Sequence, residues 1–130
     1  MAKEERAEMY RAFLADEGYT PRIDDDGDVV FKYEGRTFCI VLEEEDEGFF
    51  QLVLPNFWSI DTEAERQQVF RAAVAATKKT KVAKVYPVGD NTFAAIELFC
   101  APPEVVKAVF RRCLRALAAA VQNFGEAMQD

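Results

Sequence analysis

Nine carboxylates fall in two short bursts of the stretch "RIDDDGDVVFKYEGRTFCIVLEEEDEG". Asp24, Asp25, Asp26 and Asp28 precede an apolar run, and Glu43, Glu44, Glu45, Asp46 and Glu47 follow it. Hard oxygen donors at this density are what calcium requires, about six to eight of them at once. The EF-hand spacing fails, however. Placing Gly27 at the loop glycine puts Arg22 at the first ligand position and Tyr33 at the bidentate glutamate. The pattern allows two interpretations. In the first, the bursts are solvated turns that defend a sheet edge with charge. In the second, they serve a small-molecule or metal-binding sensor, with Asp24, Asp26, Asp28, Glu44 and Asp46 offering oxygens. The turn interpretation is adopted, and no metal site is assigned.

Other chemistry is scarce. The chain has no histidine, which removes Ser-His-Asp and Cys-His catalysis, most catalytic zinc sites and the usual neutral-pH proton shuttle. Cys39, Cys100 and Cys113 are odd in number and widely spaced, without a C-x-x-C pair; they read as free, buried, cytosolic thiols. The one basic cluster, Lys78, Lys79, Lys81 and Lys84, follows a predicted helix end, where cations offset the helix dipole. Gly89-Asp90-Asn91 is a hairpin turn, and no glycine-rich phosphate loop occurs. No catalytic residue is assigned, no motif calls for a cofactor, and the expectation is a protein that is not an enzyme.

The 130 residues carry a net charge of −7, unevenly placed. Residues 1–60 hold 15 acids and 6 bases, whereas residues 61–130 hold 8 acids and 10 bases. The acidic half repels phosphate backbones and anionic lipid, so neither nucleic acid nor a membrane surface is expected as a partner. Half the residues are hydrophobic, an ordinary globular balance for a single domain over 1–130. The N-terminus "MAKEERAEMYRAFL" reads as a charged amphipathic helix rather than a signal peptide. No apolar run approaches the roughly 20 residues of a membrane span. The expected location is the cytoplasm.

These residues need elements to position them. Arg6, Met9, Tyr10, Phe13 and Leu14 lie at helical spacing within residues 3–17, and Gly18 is the stop. After an extended "YTPRID", the turns Asp26-Gly27 and Glu34-Gly35 punctuate alternating strands. "RTFCIVLE" and "GFFQLVLPNFW" complete an antiparallel meander. Following the chain through it brings both acidic bursts to one end. "SIDTEAERQQVFRAAVAATKK" opens with the capping-box pair Thr62 and Glu65, and its predicted buried stripe is Val69, Phe70, Ala73, Val74 and Thr77. "KVAKVYPV" and "TFAAIELFC" form a hairpin, and a long helix with Pro103 in its first turn closes the chain. The class is α+β: a five- or six-stranded, mainly antiparallel sheet with three helices in the order α-β(β)ββ-α-ββ-α.

The meander is apolar on both sides. Phe38, Ile40 and Leu42 oppose Cys39 and Val41, and Phe50, Leu52 and Leu54 oppose Phe49 and Val53. A sheet with one wet face alternates more cleanly. Either the three helices cover both faces, or a second subunit or a partner covers one. In the last helix, Val106, Phe110, Cys113, Leu117, Ala120 and Phe124 recur at four and three, the spacing of a helix–helix seam. Beyond Leu117 the helix is expected to outrun the sheet, so Ala118 to Met128 would project or dock on another chain. Phe49, Trp58, Phe110, Leu117, Val121 and Phe124 are the candidate self- or partner-binding residues, in a homodimer or against a protein client.

A helix ending in "GY", then "IDDDGDVVFKYEGRTF", an alternating apolar strand, and "TKVAKVYP" after the second helix resemble the YbjN-like family of bacterial proteins. The resemblance implies the fold of type III secretion chaperones, in the order α-β-β-β-α-β-β-α. It also implies a sensory-transduction regulator of no settled biochemical activity. Chaperones of that fold are small, acidic, cytosolic dimers that hold an extended client segment against apolar patches. The resemblance carries no catalytic motif.

Overall fold

The structure, a computed structural model, describes residues 1–130. Helix α1 (Lys3–Asp16) is followed by strands β1 (Arg22–Ile23), β2 (Val29–Tyr33), β3 (Arg36–Val41) and β4 (Phe49–Leu54). Helix α2 (Glu63–Lys79), strands β5 (Ala83–Val88) and β6 (Asn91–Phe99), and helix α3 (Val106–Met128) complete the chain. Pro103 opens a short 3₁₀ turn, Pro103–Val105, just ahead of α3. One six-stranded sheet runs β1-β2-β3-β4-β6-β5, antiparallel throughout. The α+β class and the element order are those read from the sequence. No helix is long and apolar enough to cross a membrane.

Turn chemistry sets the register. Glu34 (φ +50°) and Gly35 (φ +80°) form a two-residue hairpin loop in the left-handed region, which matches the natural twist of paired strands. Tyr33 therefore pairs with Arg36, and Val29, Phe31, Phe38 and Ile40 share one face. Leu52 and Ile96 continue that row across β4 and β6. These residues join the buried side chains of all three helices in one core. Val53 and Ala95 are also buried but lie outside that core, paired with each other on the opposite face. The helices therefore cover one face of the sheet only. Cover of both faces by the three helices, one of the two expected possibilities, does not occur.

Helix α2 begins as expected, with a variation. Thr62 Oγ1 accepts from Glu65 N–H at 3.1 Å, but Glu65 reaches back to Asp61 N–H at 2.7 Å rather than to Thr62. Its predicted stripe is rotated. Val69, Ala72, Ala73 and Ala76 face inward, while Phe70 and Val74 are 44% and 68% exposed. The reason is space: α2 lies against both β5 and α3, and a face of alanines lets the backbones approach closely. Thr77 is exposed yet anchors the strand, its Oγ1 accepting from Val85 N–H at 2.9 Å.

The end of α3 also departs from expectation. All six seam residues are buried within this one chain, so the tail neither projects nor awaits another subunit. The connection between β4 and α2 supplies the missing cover. Phe57 and Trp58 meet Phe124 edge-on at 5.3 and 5.4 Å. Gln68 Nε2 donates to Met128 O at 2.8 Å and Asn123 Nδ2 to Thr80 Oγ1 at 2.9 Å, tying the tail to α2 and its cap.

Candidate interaction surfaces

The acidic bursts meet at one end of the sheet, and the start of α1 is held between them. Lys3 Nζ donates to Asp26 O at 2.9 Å, Arg6 Nη2 donates to Glu43 O, and the N-terminal ammonium pairs with Glu47. Much of the carboxylate capacity serves the backbone. Asp24 Oδ1 accepts from Asp26 N–H and Asp28 N–H, each at 3.0 Å, and Asp28 Oδ1 accepts from Leu42 N–H at 2.9 Å. Asp24 and Asp28 come together with Cys39, their ligand atoms within 4.8 Å of one another; Asp26, Glu44 and Asp46 stand outside that group.

Burial pushes the Cys39 thiol up to about 12, with the nearby aspartates adding to the effect. Three ligand groups fall short of the roughly six to eight oxygens that calcium takes, and both carboxylates are already engaged by backbone N–H groups. The acidic end reads as architecture: two turns tied to each other and to α1.

Burial also raises the Asp28 carboxyl above its ordinary value, more strongly than the Leu42 N–H lowers it, and Asp24 and Asp26 add repulsion. An acid with a raised folded-state pKa binds more protons folded than unfolded across that interval, so its contribution falls as pH rises through it. At neutral pH the Asp28 charge is therefore a small net cost. Asp28→Asn keeps an oxygen for Leu42 N–H and removes the charge; its stability at pH 7 is expected to equal or slightly exceed that of the parent. Asp28→Ala loses the acceptor and is expected to fall by about 1 kcal/mol. Urea denaturation of both variants checks the order.

The uncovered face of the sheet carries a different chemistry. Val30, Cys39, Val53, Ala95 and Lys84 form one cross-strand row. Next to it, Gln51 Nε2 donates to Glu97 at 2.8 Å and Lys84 Nζ pairs with Glu97 at 2.6 Å. Lys84 also sits 5.2 Å above the Tyr86 ring. It belongs to this face, then, rather than to the basic end of α2. At the rim, Phe49 and Phe99 are direct cross-strand partners with ring centroids 5.8 Å apart. Phe99 is 87% exposed, and such an aromatic on an open sheet face is the kind of surface that associates.

The six candidate contact residues separate. Phe49 lies half-buried on the open face. Trp58 is half-buried against Phe124, its Nε1 donating to Glu65 at 3.4 Å. Val121 lines a hollow of about 330 Å³ between α3 and the β2–β3 turn. Phe110, Leu117 and Phe124 are core residues, at most 1% exposed, and are corrected from contact residues to packing residues. The sequence reasoning missed Phe99, although the period-two phase of Phe93, Ala95, Glu97 and Phe99 was available to find it.

The fold and its surfaces define a small α+β protein with one helix-covered and one open sheet face. The model of the YbjN family, described as "Putative bacterial sensory transduction regulator", matches residues 6–130. The chain belongs to that family. No curated protein matches it.

Proposed function

We propose that this chain is a non-enzymatic regulatory module that acts by protein contact and associates with a second copy of itself through the open face of the sheet. The observation that carries the proposal is the exposed Phe99 beside Phe49, at the rim of a sheet face that no helix covers. Strands spaced about 4.8 Å apart, all but the two-residue β1 roughly 17–30 Å long, give a flat footprint on the order of 500 Å². With side-chain relief, that approaches the roughly 800 Å² per partner of an ordinary specific interface. Phe49 and Phe99 act as anchors, and the acidic end of the sheet fixes orientation and encounter rate. The element order resembles that of type III secretion chaperones, which supports by analogy a module that holds another protein. In this proposal it works in the cytoplasm, where its three free thiols stay reduced.

Light scattering at tens of micromolar is expected to give about twice the 14.7 kDa chain mass. Phe99→Asp is expected to give the single-chain mass while still folding cooperatively, because the ring packs little against the core; its melting temperature should no longer rise with protein concentration, as the dimeric parent's does. A parent protein that is monomeric at high micromolar concentration, or a variant that stays dimeric, refutes the proposal.

A further inference from the structure

One groove contrasts with the acidic balance of the chain. α3 and the α2–β5 connection enclose about 480 Å³ beside the end of β6. The floor is Leu98, Val109, Cys113 and Ala116, and Val82 forms one wall. The remaining lining residues, Lys81, Arg112 and Arg115, are all cations. None of the three makes a salt bridge or a side-chain hydrogen bond within the chain, a state they share with Arg22, Arg36 and Arg71; what sets them apart is that they converge on one apolar groove. Although the chain has 23 acidic residues, none lines this groove.

Val82 is the second observation. Its φ is +59°, in the left-handed region, and its side chain is 59% exposed. A β-branched residue there is an outlier, and residues held so are concentrated at functional sites. Core packing does not account for Val82, since the side chain lies outside the core. It does account for one edge of the groove.

We infer that this groove binds a small anionic amphiphile, a single anionic head on an apolar tail. Arg112, Arg115 and Lys81 take the head through charge-assisted hydrogen bonds, and the apolar floor takes the tail. The volume lies in the range of small-molecule sites, about 300–1,000 Å³. The groove is half open, bounded by α3 and the α2–β5 connection, and its short apolar floor of Leu98, Val109, Cys113 and Ala116 matches a single compact tail. It sits on the helical layer, so its occupancy is independent of contact through the open sheet face.

The test is calorimetric titration of the full chain with sodium decanoate below its micelle concentration. Saturable one-to-one binding is expected, and decyltrimethylammonium, with the same tail and opposite charge, is expected to bind at least tenfold more weakly. The double substitution Arg112→Gln and Arg115→Gln changes only exposed side chains and is expected to weaken decanoate at least tenfold with an unchanged melting temperature. Val82→Gly removes the wall and relieves the backbone. It is expected to weaken binding severalfold while melting no lower than the parent. Absence of saturable decanoate binding, equal affinity for the cationic analogue, or full affinity in the arginine double variant overturns the inference. So does an acidic peptide that binds more than tenfold tighter than decanoate.

Discussion

Phe124→Ala is expected to lower the stability of the single chain by about 3–5 kcal/mol, a drop in melting temperature of roughly 10–20 °C for a chain of this size. Phe124 is fully buried, and the rings of Phe57 and Trp58 stand edge-on to it. Removing its ring takes away both edge contacts and leaves a cavity where the β4–α2 connection, α2 and α3 meet. Phe124→Leu keeps most of the volume and is expected to lose about 1 kcal/mol. Trp58 emission should shift to the red in the alanine variant alone, as water reaches the indole. The experiment also separates two roles for the end of α3. A tail docked on another subunit would answer the substitution with a change in mass; a tail docked on its own α2 answers with a fall in melting temperature at constant mass.

Arg6→Ala is expected to cost about 3 kcal/mol. Arg6 is 1% exposed, has no salt bridge, and leaves its Nε without a partner. Only its Nη2 finds an acceptor, the Glu43 carbonyl. The long stem fills space beneath the acidic turns, so truncation opens a cavity and also removes a positive charge from among acids. Arg6→Met separates the two contributions. An arginine buried with an orphaned donor already bears a desolvation cost, so methionine, which fills similar space, is expected to recover most of the loss. The deficit that remains is acid–acid repulsion, and it should shrink when salt is raised from low to molar concentration. Guanidinium is unsuitable for this comparison because it is itself a salt; urea melts at two ionic strengths supply the measurement.

The sequence was most legible where one periodicity decided the outcome. The period-two phases of β2, β3 and β4 and the alternating four and three of α3 pointed to the residues that are buried. Where two neighbours competed for one face, the pattern ran out. In α2, Phe70 and Val74 are larger and more apolar than Ala72 and Ala76, so hydrophobicity alone favours the wrong stripe; close packing on β5 and α3 selects the alanines. Helix length set against strand length misled at the end of α3, because the cover there comes from Phe57 and Trp58 in a connection that has no periodicity to read. The acidic end was placed correctly from topology, and helical spacing set Arg6 on the face of α1 that is buried; that it is buried without a counter-ion, clamping α1 to the acidic turns through a carbonyl, no spacing reveals. The groove was wholly illegible: it combines residues distant in the chain with a left-handed valine that sequence does not announce.

One consequence of the one-sided layering concerns change over generations rather than stability. Along β3, β4 and β6, residues of the core alternate with residues of the open face, one for one. In the contact proposed above, folding and partner choice would thus be written on the same strands in interleaved positions. Substitutions at 41, 49, 51, 97 and 99 change the chemistry of the open face while the positions between them keep the sheet closed over its helices. A chain built this way can vary its open face at every second residue and leave its architecture untouched.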